Sequence, residues 1–139
     1  MPKIRESKQL LRIMDANFNR AKEGLRVCED VTRYGLNRQT LTRDFKNVRH
    51  QLTKTIGSLQ IADLLNARDI QGDVGRGSTT SEFKRQDLND IFYANAQRVK
   101  ESLRVLEEVT KLLDASCARK IKEMRYKIYA LEQKTIKER

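Results

Sequence analysis

Two repeated arginines lie on helix faces that are otherwise apolar, an unusual place for a permanent charge. Each follows an asparagine by three residues and precedes a small residue by four, in the sets Asn17-Arg20-Gly24 and Asn95-Arg98-Ser102. Two further arginines lie among apolar residues at helical spacing, namely Arg49 and Arg125. A guanidinium group cannot be neutralised, so burying it without a partner would cost several kcal/mol. Something must therefore accept the hydrogen bonds of these side chains.

Two interpretations satisfy this requirement. In the first, the arginines extend to water or pair with glutamates inside the protein, and the candidate partners are Glu23, Glu29, Glu101 and Glu107. In the second, the four arginines line a basic cavity between two similar halves of the chain and bind phosphate oxygens in bidentate geometry. This hypothesis makes Arg20 and Arg98 the catalytic groups of a phosphate site. It assigns ligand binding to Asn17, Asn95, Arg49, Arg125, Gly24 and Ser102, the last two by leaving room.

A glycine-rich stretch at 67–80 separates the two halves and is a second candidate for chemistry. Glycine lets backbone N–H groups approach a phosphate, which assigns phosphate binding to Gly72 and Gly75, with Arg68 beside them. The stretch contains neither a Walker sequence nor a protein-kinase glycine loop. In the alternative interpretation, the glycines only form turns that aspartates cap. Because carboxylate oxygens are the ligands that Mg²⁺ prefers, a metal-binding and catalytic role is assigned to Asp69 and Asp73.

These residues lie on a sequence repeat. The stretch 15–32 returns as 93–110 with most residues unchanged, at a constant distance of 78 residues. The stretch 45–50 returns as 121–126, at a distance of 76. Apolar residues recur at steps of three and four through both copies, which indicates four long amphipathic helices. The sequence therefore predicts an all-α four-helix bundle, made of two repeated helical hairpins with a pseudo-twofold relation and joined by the glycine-rich loop.

The length of 139 residues favours a single domain over 1–139. It divides into repeat 1 at about 5–57, a loop at about 58–80 and repeat 2 at about 81–137. Gly35 is expected to end the first helix in the left-handed conformation. Thr79 and Glu82 form a candidate capping box for the third helix, and Asp114 is a candidate cap for the fourth.

The charge balance favours anionic partners. The chain has 29 Lys and Arg residues against 19 Asp and Glu residues, which gives a net charge of +10 and a pI of about 9.9. Small phosphorylated ligands and nucleic acid both fit this balance. Nucleic acid is disfavoured because the repeated arginines lie on apolar faces and exposed aromatic residues are not interleaved with the basic ones.

Composition also narrows the class of protein. Cys28 and Cys117 lie inside helical patterns, so they are expected to be buried, reduced thiols. His50 is the only histidine, which excludes a metal site built from several histidines. Apolar stretches long enough to cross a bilayer are missing, so no membrane association is expected, and the predicted location is the cytoplasm.

Four stretches together resemble a known helical family. They are Asp-Ala-Asn-x-x-Arg-Ala-x-Glu-Gly-Leu-Arg-Val-x-Glu-Asp at 15–30, Ala-Arg-Asp-x-x-Gly-Asp-Val-Gly at 67–75, Ala-Asn-x-x-Arg-x-x-Glu-Ser-Leu-Arg-Val-Leu-Glu-Glu at 94–108 and Met-Arg-Tyr-x-x-Tyr-x-Leu-Glu at 124–132. The resemblance is to small monofunctional hydroxymethylpyrimidine-phosphate kinases, a domain that occurs alone or fused ahead of thiamine-phosphate synthase. It covers nearly the whole chain.

The resemblance implies phosphorylation of 4-amino-5-hydroxymethyl-2-methylpyrimidine phosphate to the diphosphate in thiamine biosynthesis, with ATP and Mg²⁺ as cofactors. Phosphoryl transfer depends mainly on positioning and charge neutralisation, so it needs no histidine or cysteine nucleophile. An alternative is a non-catalytic domain that binds the ligand or docks onto thiamine-phosphate synthase. A second copy of the chain is a further candidate partner, since the apolar stripes that flank the arginines close either within one chain or against another.

Overall fold

The computed structural model describes residues 4–61, 64–78 and 83–137, and all of its regular structure is helical. None of the helices in these ranges is both long and apolar enough to cross a bilayer. The four long helices of the prediction are present, with no strand in the described ranges, which confirms the all-α class. The elements are α1 (Ile4–Asp30), a π-helical turn (Val31–Gly35), α2 (Gln39–Gly57), a 3₁₀ turn (Leu65–Ala67), α3 (Leu88–Thr110) and α4 (Ala115–Lys137).

One apolar core lies between the four helices. The α1 helix packs against α2 and α3, and α4 packs against α2 and α3. Phe45 of α2 is fully buried and meets Phe92 of α3 edge to face, with ring centroids 5.8 Å apart. Burial of the apolar stripes that the sequence shows is the main force that joins the two hairpins.

The repeat in sequence is also a repeat in local structure. The side-chain amide of Asn17 donates to the carbonyl oxygen of Ile13 at 2.9 Å, and that of Asn95 donates to Ile91 at 2.8 Å. The hydroxyl of Thr32 donates to the carbonyl of Glu29, as the hydroxyl of Thr110 does to the carbonyl of Glu107. Equivalent residues therefore make equivalent bonds in the two hairpins.

The end of the first helix differs from the prediction. Gly35 has no positive φ, and the left-handed residue of this connection is Asn37, at φ 54°. The helix instead widens into the π-helical turn, in which the N–H of Leu36 donates to Val31 at 2.9 Å. A Cβ at Gly35 would lie 2.9 Å from a methyl carbon of Leu88. Gly35 therefore lies against the first residue of α3 and does not act as a left-handed helix cap.

The start of the third helix is a second difference. It begins at Leu88, where the carboxylate of Asp87 accepts the N–H of Asp90 at 2.9 Å. The capping box predicted at Thr79 and Glu82 lies outside the described residues. The cap predicted for the fourth helix is confirmed, since the carboxylate of Asp114 accepts the N–H groups of Ser116 and Cys117, at 2.8 and 3.3 Å.

Both cysteines are buried free thiols, as predicted. Burial raises the pKa of Cys28 to about 12, and the nearby charge of Glu132 adds to the rise. The Cys28 thiol is therefore protonated at neutral pH, in the state of a small apolar side chain and not of a nucleophile.

Gly24 lies where α1 packs closely against α3. A Cβ at Gly24 would lie 2.7 Å from a methyl carbon of Val99 and 3.1 Å from the carbonyl oxygen of Asn95. The prediction that Gly24 leaves room for a ligand is therefore corrected, because α3 occupies that space.

Gly24→Ala should lower the free energy of unfolding by about 1–3 kcal/mol, since the added methyl group must displace one helix from the other. Gly57→Ala is the matched control, because a Cβ there has no neighbour within 4 Å, and its effect should stay within about 0.5 kcal/mol. Urea unfolding of the two variants measures the difference. Equal stability would mean that α1 and α3 separate without cost.

Candidate functional site

An open cleft of about 850 Å³ lies between the outer face of α1 and the segment that follows the 3₁₀ turn. It is lined by Gln9, Arg12, Ile13, Asp15, Ala16, Asn17, Asn19, Arg20 and Glu23 of α1 and by Arg68, Asp69, Ile70 and Asp73 of that segment. Helical periodicity explains the first group, because residues at steps of three and four share one face. The glycine-rich segment supplies the facing wall. The cleft thus brings residues of the first repeat together with the predicted loop residues.

Arg12 and Arg20 provide positive charge in the cleft that has no acidic partner in the described ranges. Both side chains are exposed, and neither has an ion pair or hydrogen bond within the described part of the chain. They are two helical turns apart, about 12 Å along the helix axis. Long side chains at this separation are able to converge on one anion between them. The sequence repeat predicts Arg20 as a site residue, whereas Arg12 has no arginine counterpart in the repeat and only the structure places it in the cleft.

A bidentate ion pair joins the two walls of the cleft. Nε of Arg68 donates to one carboxylate oxygen of Asp15 at 2.7 Å, and Nη2 donates to the other at 2.8 Å. The hydrogen bond to Asp15 raises the pKa of Arg68 above its ordinary value. Asn19 donates to the same carboxylate at 3.2 Å. Sequence reasoning missed Asp15, because its partner lies 53 residues away and only the fold brings the two together.

Arg49 and Arg125 are not part of this cleft. Nε of Arg49 donates to Glu29 at 3.0 Å, and Nε and Nη2 of Arg125 donate to Glu107 at 3.2 and 3.1 Å. Both glutamates are buried. The first interpretation of these two arginines, internal ion pairs, therefore describes the structure. Their assignment to one phosphate site with Arg20 is corrected, since each pairs with a buried carboxylate and neither lines the cleft.

The symmetric counterparts of the cleft residues lie elsewhere. Arg98 is exposed on α3 but does not line the cleft, and neither does Asn95. Ser102 is buried, so it offers no accessible space to a ligand. Asn17 does line the cleft. Within the described ranges, the structure thus replaces the predicted cavity between the repeats with a cleft on the first repeat.

The glycine-rich segment follows the turn interpretation. The N–H of Gly72 donates to the carboxylate of Asp69 at 2.8 Å, and the N–H of Gly75 donates to that of Asp73 at 3.0 Å. These two N–H groups are therefore not free for a phosphate. In the ranges that the structure describes, no group of three or more His, Cys, Asp or Glu side chains is arranged to hold a metal ion. A Mg²⁺ site at Asp69 and Asp73 stays a prediction.

Comparison with known proteins identifies the family. The model of the ThiD2 family matches residues 12–134. The chain belongs to the ThiD2 family. It is 43% identical over 126 residues to a thiamine-phosphate synthase of Rhodopirellula baltica, covering 90% of this chain and 34% of the relative. Thiamine-phosphate synthases of Nostoc punctiforme and Thermosynechococcus vestitus are 43% and 40% identical, over 87% and 92% of this chain and 34% and 36% of theirs. No solved structure matches.

These relatives correct one prediction about this ThiD2-family chain. They confirm the relation to proteins of thiamine biosynthesis. They contradict the prediction of a hydroxymethylpyrimidine-phosphate kinase, because relatives at 40–43% identity are named for a synthase, which is a different activity. The dependence on ATP and Mg²⁺ gains no support from their names. The chain spans about a third of the length of the curated relatives that it matches.

The second repeat of this ThiD2-family chain lacks two of the charged groups that build the cleft. At the distance of 78 residues, Asp90 replaces Arg12 and Tyr93 replaces Asp15. One change reverses the charge, and the other removes the carboxylate that binds Arg68. The sequence repeat therefore does not repeat the cleft.

Proposed function

We propose that this chain is a helical domain that binds a phosphorylated pyrimidine in the α1 cleft and supplies it for thiamine-phosphate synthesis, without transferring a phosphate itself. The observation that carries the proposal is the pair of accessible arginines, Arg12 and Arg20, which face a cleft and have no carboxylate partner in the described ranges. Phosphate oxygens are the groups that such guanidinium donors bind best.

The charges of the cleft are mixed, and the mixture suits an aminopyrimidine phosphate. Arg12 and Arg20 lie on α1, and Arg68 lies on the facing segment together with Asp69 and Asp73. A ligand with a phosphate and an exocyclic amino group would meet guanidinium donors for the phosphate and carboxylate acceptors for the amino group. The volume of about 850 Å³ falls within the ordinary range for small-molecule sites, about 300–1,000 Å³.

The names of the relatives suggest the pathway. A thiamine-phosphate synthase makes a phosphorylated product, and in the relatives a region similar to this chain belongs to the same polypeptide as the rest of that protein. A domain that binds a phosphorylated ligand beside a synthase would account for the phosphorylated product and for the shared polypeptide. The synthase is accordingly the proposed macromolecular partner of this chain.

Isothermal titration of the purified chain tests the proposal. The phosphate of 4-amino-5-hydroxymethyl-2-methylpyrimidine should bind at least about tenfold more tightly than the unphosphorylated alcohol, since the phosphate gains charge-assisted hydrogen bonds. Incubation with ATP and Mg²⁺ should leave the bound ligand unchanged. Equal binding of the two pyrimidines would refute the phosphate site. Formation of the diphosphate would refute the non-catalytic role.

A further inference from the structure

Resting on the proposed function, we infer that Asp15 is a positioning residue, which holds Arg68 in the cleft as a third guanidinium group for the phosphate. Arg68 and Asp15 both line the cleft and are joined by the two hydrogen bonds of 2.7 and 2.8 Å. A bidentate pair fixes the plane of the guanidinium as well as its place.

The exposures of the two side chains decide which one faces the ligand. The Arg68 side chain is 39% exposed, whereas that of Asp15 is 7% exposed. The carboxylate therefore lies behind the guanidinium. Asp15 uses one edge of the guanidinium, so Nη1 and the second N–H of Nη2 remain available to a ligand.

Arg68 is the residue that connects the glycine-rich segment to α1. Asp69 and Asp73 bond to glycines within the segment, and Ile70 and Val74 are exposed. In the described part of the chain, the Arg68–Asp15 pair is the side-chain hydrogen bond that ties this wall to α1. Asp15 itself is held by a long helix and by Asn19.

The Arg68–Asp15 pair contributes oriented hydrogen-bond donors to ligand binding more than it contributes electrostatic attraction. Since the charges of Asp15 and Arg68 nearly cancel, the pair adds little to the attraction of an anion at a distance. Its contribution is a set of N–H donors held in place before the ligand arrives, which reduces the entropy lost on binding. Such donors distinguish a phosphate group from a hydroxyl group. Tyr93 replaces Asp15 in the second repeat, which therefore lacks the carboxylate that would orient an arginine. We therefore expect one ligand for each chain.

A double-mutant cycle with Asp15→Asn and Arg68→Ala tests the inference by titration calorimetry. Each single variant should bind the pyrimidine phosphate about tenfold more weakly, as expected for the loss of one charge-assisted contact. Affinity for the unphosphorylated pyrimidine should change less than about twofold in every variant, whereas a general structural defect would weaken both ligands. Asp15→Asn should have no further effect in the Arg68→Ala background, because the aspartate acts through the arginine.

The outcomes separate the two proposals. If the wild-type chain does not prefer the phosphorylated ligand, the proposed function fails and the inference falls with it. If it does, but Asp15→Asn weakens binding equally with and without Arg68, the inference alone is overturned. Asp30→Asn is the control, since this exposed α1 carboxylate lies outside the cleft and should leave both affinities unchanged. If Asp15→Asn does not fold, Arg68→Lys decides: a tenfold loss supports the bidentate geometry, and unchanged affinity overturns it.

Discussion

Arg20→Ala should weaken binding of the pyrimidine phosphate about 30-fold or more, which corresponds to roughly 2–3 kcal/mol. Arg20 lines the cleft, is exposed and has no partner in the described ranges, so its guanidinium is available to a ligand. Its removal takes away a charge-assisted hydrogen bond and breaks no ion pair of the free protein. Titration calorimetry measures the affinity, and the thermal midpoint of the ligand-free variant should change little.

Arg98→Ala is the matched control for this prediction. Arg98 occupies the same place in the second repeat and is also exposed, but it does not line the cleft. The variant loses the same charge, so a purely electrostatic attraction would weaken to a similar extent in both. We expect less than about a threefold loss for Arg98→Ala. Equal losses would instead support the symmetric site that the sequence repeat suggests.

The sequence is sufficient to predict the helices because their formation is governed by local patterns. Apolar residues at steps of three and four predict the buried faces, and the core that forms between the helices includes Met14, Phe45 and Leu103. The cap at Asp114 is also local, since it involves only the next three residues. The sequence repeat also predicts two similar hairpins, because similar sequences form similar hydrogen bonds.

Contacts between distant residues limit what the sequence predicts about the site. The pairing of Arg49 with Glu29, one of two interpretations of the sequence, depends on how α1 and α2 are rotated against each other. Asp15 and Arg68 meet only because the chain returns to α1 after the 3₁₀ turn. Gly24 illustrates the same limit, since its small size serves helix packing and no local pattern distinguishes that from space for a ligand.

Family and activity also differ in how far the sequence determines them. The four motifs are spread over most of the chain, and they correctly indicate a family related to thiamine biosynthesis, whose model matches over residues 12–134. An activity depends on a few side chains and on any further domain present in the protein. Relatives about three times as long as the matching region are named for a synthase. The motifs therefore support the family relation but not the kinase activity.

The buried ion pair of the second hairpin should be the most sensitive point of the fold. Glu107 is 4% exposed and Arg125 is 9% exposed. Burial by itself lowers the pKa of Arg125, but the hydrogen bond and the charge of Glu107 outweigh burial, so the pKa is raised. A buried guanidinium that loses its carboxylate keeps its charge and loses its partner. We therefore expect Glu107→Ala to lower the free energy of unfolding by about 3–5 kcal/mol.

Glu108→Ala is the control, because this neighbour forms exposed pairs with Arg104 and Lys111, and such pairs contribute about 0–1 kcal/mol. The double variant Glu107→Leu with Arg125→Met should recover most of the stability, since it removes the buried charge together with its partner. Urea unfolding of the three variants distinguishes the causes. If Glu107→Ala costs less than about 1 kcal/mol, Arg125 reaches water without its partner. If the double variant is as unstable as the single one, the loss reflects packing around Glu107 and not an unpaired charge.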